Sequence, residues 1–230
     1  MIKLPEYVYK FALLLPQKSY VVGGYVRDCL INKHPNDIDI CSGITVEKLK
    51  QLLDGSNFKI ISSTNLQTAK ICFESKNKKD YFEYACFRKD YYNSKNTHVP
   101  YKIKVVKSIK QDSSRRDFSI NSIYYDIKNN KIVDPKRGLK NIQNGTIKTV
   151  LSPKKTLKYD GERLLRLIKL VAITGFCVDK KILKYTIKYK NNINNLTNNL
   201  KQKYFNYYKS LQPSVLKNIS PLLQLLDINF

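Results

Sequence analysis

The tightest constraint on this chain is the segment Val22-Gly23-Gly24-Tyr25-Val26-Arg27-Asp28, followed after a short polar connection by Asp37-Ile38-Asp39-Ile40. Ser19-Tyr20-Val21-Val22 reads as a short buried strand that two glycines stop, and residues 25–31 read as a helix. The chain must therefore turn from strand into helix at Gly23-Gly24. Glycine there lets backbone amides approach a phosphate closely, and the start of a helix favours negative charge. Arg27, one turn in, adds a charge-assisted donor for the same anion. Residues 37–41 alternate polar and apolar, so a strand there sets Asp37 and Asp39 on one face and Ile38 and Ile40 on the other. Two carboxylates on one face suit a hard divalent cation such as Mg2+. Taken alone, Asp-x-Asp fits a solvated strand end better than a metal site, and it is the glycine turn upstream that changes the balance. Glu83, on a strand spanning 81–87, offers a third carboxylate and reads equally well as a surface residue.

Around this segment the pattern predicts helices at 5–15 and from the Thr45 cap to Leu53. It predicts strands at 57–61, 69–74, 81–87, 101–106, 120–127 and 132–133, with a polar loop over Lys89–Val99. From about residue 153 the pattern is helical, at 160–174, 179–189, 197–211 and 214–226, joined by Asn-rich turns. The fold class is α+β: a mixed, mostly antiparallel sheet domain over 1–150, then a helical region over 151–230. The apolar residues Leu222, Leu223, Leu225 and Leu226 are expected to lie exposed and able to pair with another surface.

Composition narrows the class of partner. With 42 Lys+Arg against 18 Asp+Glu the net charge is +24, which points toward a polyanion such as nucleic acid. The same bias also fits a Lys-, Asn-, Ile- and Tyr-rich background of the kind AT-rich genomes produce. A hydrophobic share of 42% excludes wholesale disorder. No stretch reaches the roughly 20 apolar residues of a membrane span, and the first residues lack a signal-peptide core. Five scattered cysteines, never spaced Cys-x-x-Cys, and only two histidines suit reduced thiols in the cytoplasm rather than disulfides or a zinc cluster.

In the 160–174 helix, Leu164, Leu167, Ile168 and Val171 share a core face, while Arg163, Arg166 and Lys169 fall opposite. Asp160 in the first turn lies three residues before Arg163, so the two are surface neighbours. Together they offer an acceptor and a planar donor fork. Cytosine and adenine each present an amino donor beside a ring-nitrogen acceptor, whereas uracil and guanine place a carbonyl there. The pair can therefore distinguish C and A from U and G. In isolation it reads as an ordinary ion pair.

A phosphate cradle beside a Mg2+ pair is the equipment of nucleotidyl transfer. The Gly23–Asp28 and Asp37–Ile40 segments resemble the head-domain signature of class II tRNA nucleotidyltransferases (CCA-adding enzymes) and bacterial poly(A) polymerases. Three further segments match in order: Arg115-Arg116-Asp117-Phe118-Ser119-Ile120-Asn121, Ile132-Val133-Asp134-Pro135 with Gly138, and Asp160-Gly161-Glu162-Arg163-Leu164-Leu165-Arg166 with Gly175-Phe176. The resemblance spans roughly residues 5–190, with the helical part shortened at its C-terminal end. It implies untemplated addition of C, C and A to tRNA 3′ ends from CTP and ATP. Asp37 and Asp39 would be the catalytic pair holding two Mg2+ ions, and Gly23, Gly24 and Arg27 would hold the triphosphate. Arg116 and Asp117 would contact triphosphate and ribose. Asp160, Arg163, Arg166 and Lys169 would contact the nucleotide, Lys169 standing for a family arginine. Tyr159 replaces the glutamate that usually precedes the Asp160 position, and Lys95 and His98 replace an acidic–basic pairing in the 88–100 loop. Addition of poly(A), of CC alone or of A alone, and an inactive RNA-binding domain, are the other functions consistent with the sequence. The partners expected are tRNA or another RNA 3′ end, with no membrane.

Overall fold

A computed structural model describes residues 2–76, 78–93 and 98–229. The chain divides into two compact units, one of Met1–Lys89, Ile103–Arg116 and Ile120–Leu139, the other of Asp90–Lys102, Asp117–Ser119 and Lys140–Phe230. In chain order the first elements are α1 (Glu6–Leu14), β1 (Ser19–Val22), α2 (Gly24–Leu30), β2 (Asp39–Ser42), α3 (Val46–Leu52), β3 (Phe58–Thr64), β4 (Thr68–Ser75) and β5 (Lys78–Cys86). Then come β6 (Arg88–Tyr91), β7 (Lys102–Val105), α4 (Ile109–Asp112), β8 (Tyr124–Asp126), β9 (Lys131–Val133) and α5 (Gly138–Gln143). The remainder is β10 (Thr146–Ile147), α6 (Pro153–Leu157), α7 (Glu162–Thr174), β11 (Cys177–Val178), α8 (Lys180–Tyr189), α9 (Asn198–Lys209) and α10 (Pro213–Leu225).

In the first unit a seven-stranded sheet runs β3-β4-β5-β2-β1-β8-β9. Every pairing is antiparallel except β2 with β5, so the expected mixed, mostly antiparallel sheet is present. Aromatic packing seats α1 on this sheet. The fully buried Phe11 meets Phe58, Phe82 and Tyr84 edge-on at centroid distances of 5.4, 4.8 and 6.1 Å. Thr45 caps α3 by accepting from the Lys48 amide, as the sequence predicts.

Several elements differ from the sequence expectation, each for a local reason. The strand expected over 120–127 shortens to Tyr124–Asp126, because its partner β1 has only four residues and pairs Val22 with Tyr124 and Tyr20 with Asp126. Residues 119–121 form a 3-10 turn instead. The loop expected from Lys89 starts as strand β6. Helix α5 was not legible as a helix, yet Asp134 caps it by accepting from the amides of Gly138 and Leu139 at 2.8 and 2.9 Å.

In the second unit α7 is buried on more than one stripe, with Leu165 and Leu170 joining the four core residues expected. The reason is that α6, α9, α10 and the turn over 190–195 all pack on it. Tyr208 is fully buried and donates to the Leu165 carbonyl at 2.7 Å. Leu222 and Leu226 are buried as well, which corrects the expectation of an exposed leucine face on the last helix. Gly161 opens α7 with no room for a side chain, since a Cβ there would collide with the Asn192 carbonyl. Asn192 in turn donates to the Lys158 carbonyl at 2.9 Å, fixing the end of α6 against the start of α7. Among the described residues no helix is long and apolar enough to cross a membrane.

Phe11→Ala removes a ring with three aromatic partners and leaves a cavity under α1. It should cost about 3–5 kcal/mol in urea unfolding, with α1 and the sheet losing stability together.

Candidate active site

The antiparallel register of β1 with β2 sets Val22 opposite Asp39. One residue beyond Val22 the backbone turns at Gly23, with φ +87°, a conformation that L side chains rarely adopt. A Cβ on Gly23 would stand 3.1 Å from Asp39 Oδ2. The carboxylate and the glycine turn are therefore neighbours because of the register, and the missing side chain keeps the space above them open. Strand β2 begins at Asp39 rather than Asp37, since β1 has already turned away and residues 37 and 38 have no partner on that side. The alternation nevertheless extends back: Asp37 is exposed, Ile38 buried, Asp39 partly exposed and Ile40 buried. The Ile38 carbonyl accepts from the Glu83 amide at 2.9 Å, and Glu83 stands in register beside Asp39 on β5, itself exposed. Among the described residues no group of three or more His, Cys, Asp or Glu side chains is arranged to hold a metal ion.

Arg27 is buried beneath this turn. Its guanidinium forms a two-pronged pair with Asp28, Nε and Nη2 each donating at 2.9 Å, and Nη1 donates to Asn121 Oδ1 at 2.6 Å. The Nη2 atom lies 3.4 Å from where a Cβ on Gly24 would be. Arg27 thus underpins the glycine turn, and Asn121 ties it to the Arg115–Asn121 segment.

That segment is anchored by a residue the sequence reading did not single out. Asp112, at the end of α4, is fully buried. Its Oδ1 accepts from Arg115 Nε at 2.7 Å and from the Arg88 amide at 3.2 Å. Its Oδ2 accepts from Arg116 Nη2 at 3.1 Å and from the Tyr124 hydroxyl at 2.7 Å. Burial pushes this carboxyl up, but the two arginine charges and the Tyr124 hydrogen bond outweigh it and hold Asp112 well below the usual carboxylate range. The arginines at i+3 and i+4 are the only signal the sequence carried for it.

The second unit holds the remaining predicted residues. Asp117 is buried, with Oδ1 accepting from the Phe118 amide at 2.7 Å and Oδ2 from Arg166 Nε at 2.6 Å. Desolvation raises its pKa, yet Arg166 and Arg163 prevail and the carboxyl stays ionised below its ordinary range. Asp117, in turn, raises Arg166 above the usual arginine value. The Arg166 side chain remains 45% exposed, so the pair opens to solvent on one side. Asp160 lies just before α7 rather than in its first turn. Its Oδ1 accepts from the Glu162 amide at 3.0 Å in the manner of a helix cap. Its Oδ2 accepts from Arg163 Nε at 3.0 Å, while Arg163 Nη1 donates to the Thr156 carbonyl at 3.1 Å. Burial pushes the Asp160 carboxyl up, with Arg163 opposing. The Arg163 guanidinium stands 5.8 Å from the centroid of the Tyr92 ring, a residue that no sequence motif marks. Lys169 lies over the Tyr207 ring at 4.9 Å. His98 is among the charges acting on Asp160, while Lys95 lies outside the described residues.

The poly A polymerase head domain matches residues 19–148, and the chain belongs to that family. Poly(A) polymerase I of Haemophilus influenzae is 27% identical over 177 residues, covering 71% of this chain and 36% of that one. The CCA-adding enzyme of Enterococcus faecalis is 28% identical over 166 residues, covering 72% and 39%. In structure the chain resembles the Bacillus stearothermophilus CCA-adding enzyme in complex with CTP, with a TM-score of 0.77 at 22% identity, covering 94% of this chain and 50% of that one. It also resembles a tRNA nucleotidyltransferase complexed with a primer tRNA and an incoming ATP analogue, with a TM-score of 0.69 at 20% identity. The fold is therefore that of this group. The matched stretches span well under half of the curated relatives and about half of the solved chains.

Asp112→Asn leaves two arginines without a buried counter-charge and should cost about 3–5 kcal/mol at pH 7. Because the folded carboxyl titrates below its unfolded value, its contribution is complete above about pH 4 and fades as pH falls further. Urea unfolding at pH 7 and pH 3 should show the gap between the two proteins narrowing at the lower pH.

Proposed function

We propose that this protein is a nucleotidyltransferase that extends RNA 3′ ends, with tRNA lacking its terminal CCA as the RNA and CTP and ATP as the nucleotides. The observation that carries the reading is the Asp39 carboxylate set against the side-chain-free turn at Gly23. Asp37 and Asp39 fit Mg2+ as a donor set: both are carboxylates, Asp37 exposed just ahead of β2 and Asp39 partly exposed at its first residue, and Mg2+ is held by one or two such groups with water and substrate phosphates completing its shell. Bound there, Mg2+ supplies Lewis acidity to a 3′-hydroxyl and neutralises charge on a triphosphate. Glu83, beside Asp39 in register, adds negative charge to the same strand face.

The chain's own groups do the positioning. The Gly23-Gly24 turn presents backbone amides to phosphate oxygens, and Arg27 stiffens that turn through Asp28 and Asn121. Arg116, oriented by Asp112 and Tyr124, carries a fixed positive charge suited to a triphosphate. In the second unit Asp117 is held by Arg166. Each of its oxygens keeps a second lone pair for a sugar hydroxyl. Asp160 and Arg163 bond to each other, an acceptor beside a planar donor fork whose chemistry suits the amino group and ring nitrogen of C or A. The RNA 3′-hydroxyl attacks the α-phosphorus and pyrophosphate leaves.

Poly(A) addition is the second reading, favoured by relatives of both names at nearly equal identity. Incubation with tRNA ending before CCA, Mg2+ and each labelled nucleotide singly and in pairs separates the two. Stepwise CC then A is expected, and a long A tail would decide for the alternative. Asp37→Ala and Asp39→Ala should each lower the rate about 100- to 1000-fold, which corresponds to a few kcal/mol of lost transition-state stabilisation.

A further inference from the structure

From Lys180 to Leu226 the chain carries nine lysines and no aspartate or glutamate. On the sheet, Lys59 and Lys79 both pair with Glu74, and Lys78 pairs with Asp80. Helix α8 is different: Lys180, Lys181, Lys184 and Lys188 are all exposed, and Asp179 at its cap is turned to the Lys181 amide and to Lys148. Successive turns of one helix repeat these charges at a spacing of about 6 Å.

Helix α6 packs against α8 and adds Lys154, Lys155 and Lys158, also exposed. Among the described residues no ion pair engages these α6 and α8 lysines. The surface carries aromatic rings as well. Lys158 lies over the Tyr159 ring at 4.6 Å, and Tyr185 and Tyr189 stack at a centroid distance of 6.0 Å with planes 16° apart. The packing of α6 on α8 puts the two helices' rings and charges in one neighbourhood. A face of uncompensated lysines with partly exposed aromatic rings between them matches a polyanion that has both a charged backbone and flat bases. An anionic lipid surface offers charge without rings to stack.

We infer that the outer face of α6 and α8 is a surface that holds RNA, with Lys154, Lys158, Lys181, Lys184 and Lys188 on its phosphates and the Tyr185–Tyr189 stack against an unpaired base. The inference rests on RNA being the substrate and locates where this chain grips it away from the carboxylate pair. The grip is independent of catalysis, so binding and turnover separate the two.

The test is fluorescence anisotropy of labelled tRNA lacking CCA, titrated with the full chain across a series of salt concentrations. The triple variant Lys181→Gln, Lys184→Gln, Lys188→Gln is compared with Lys48→Gln, Lys50→Gln, Lys128→Gln, which removes the same charge from exposed sites of the first unit. The α8 triple should bind roughly tenfold more weakly at low salt and lower the slope of log affinity against log salt by about 2, and the control triple should change neither appreciably. Equal losses from both triples, or none from the α8 triple, would overturn the inference. So would loss of binding to phosphatidylserine vesicles with tRNA affinity retained. Asp37→Asn with Asp39→Asn should bind tRNA as wild type does. If the wild-type protein makes no product while the α8 triple still loses tRNA, the proposed reaction fails and the RNA surface stands.

Discussion

One backbone register governs this molecule: the pairing of β1 with β2 that sets Val22 across from Asp39. A slip of one residue would turn Asp39 into the core and Ile40 out to solvent, so burial of Ile40 enforces the register strongly. The turn at Gly23 then falls beside the Asp39 carboxylate, and only glycine tolerates both its backbone angle and the nearness of that oxygen. The candidate metal-binding carboxylate and the candidate phosphate-binding turn are brought together by this one strand pair.

Around that register, buried charge is used sparingly and always in pairs. The protein has few acidic residues for its lysines, yet Asp112, Asp117 and Asp160 are all buried against arginine. Isolated burial of any of them would be prohibitive, and mutual pairing with additional amide and hydroxyl donors offsets the desolvation. In each pair the carboxylate limits where its arginine can point. The hydrogen bond from Arg27 to Asn121 spans 94 residues and joins two of the sequence segments by which the family was recognised.

Much of this was legible from residue pattern. The strand–glycine–helix punctuation at 19–30, the alternation at 37–40 and the Thr45 cap each carry a local signal that the fold obeys. The Asp160–Arg163 pairing was likewise visible as neighbours on a helix, although capping pulled Asp160 just ahead of α7. What escaped depends on tertiary partners. Asp112 looks like an ordinary polar residue until Tyr124 and the Arg88 amide close around it. Asn192 lies in a stretch of asparagines that composition alone makes look like a spacer, and its role comes from the ends of α6 and α7 meeting there. The leucines of α10 carry no mark in the sequence that tells a buried helix face from an exposed one, and packing against α7 decided it. The candidate nucleotide-contacting arginines are of the same kind: Arg27 and Arg116 have the right chemistry, but Asp28 and Asn121 orient the one and Asp112 and Tyr124 the other.

The poly A polymerase head-domain match over residues 19–148 takes in the Gly23 turn and both candidate metal-binding carboxylates. The central claim is that Asp37 and Asp39 bring a divalent ion to a bound nucleotide, and metal occupancy tests it without reliance on turnover. Mn2+ can stand in for Mg2+ in electron paramagnetic resonance, titrated into the protein with a non-hydrolysable CTP analogue. The account predicts that protein-bound Mn2+ appears with the wild-type chain and disappears in Asp37→Asn with Asp39→Asn. Equal Mn2+ binding by both proteins would contradict it.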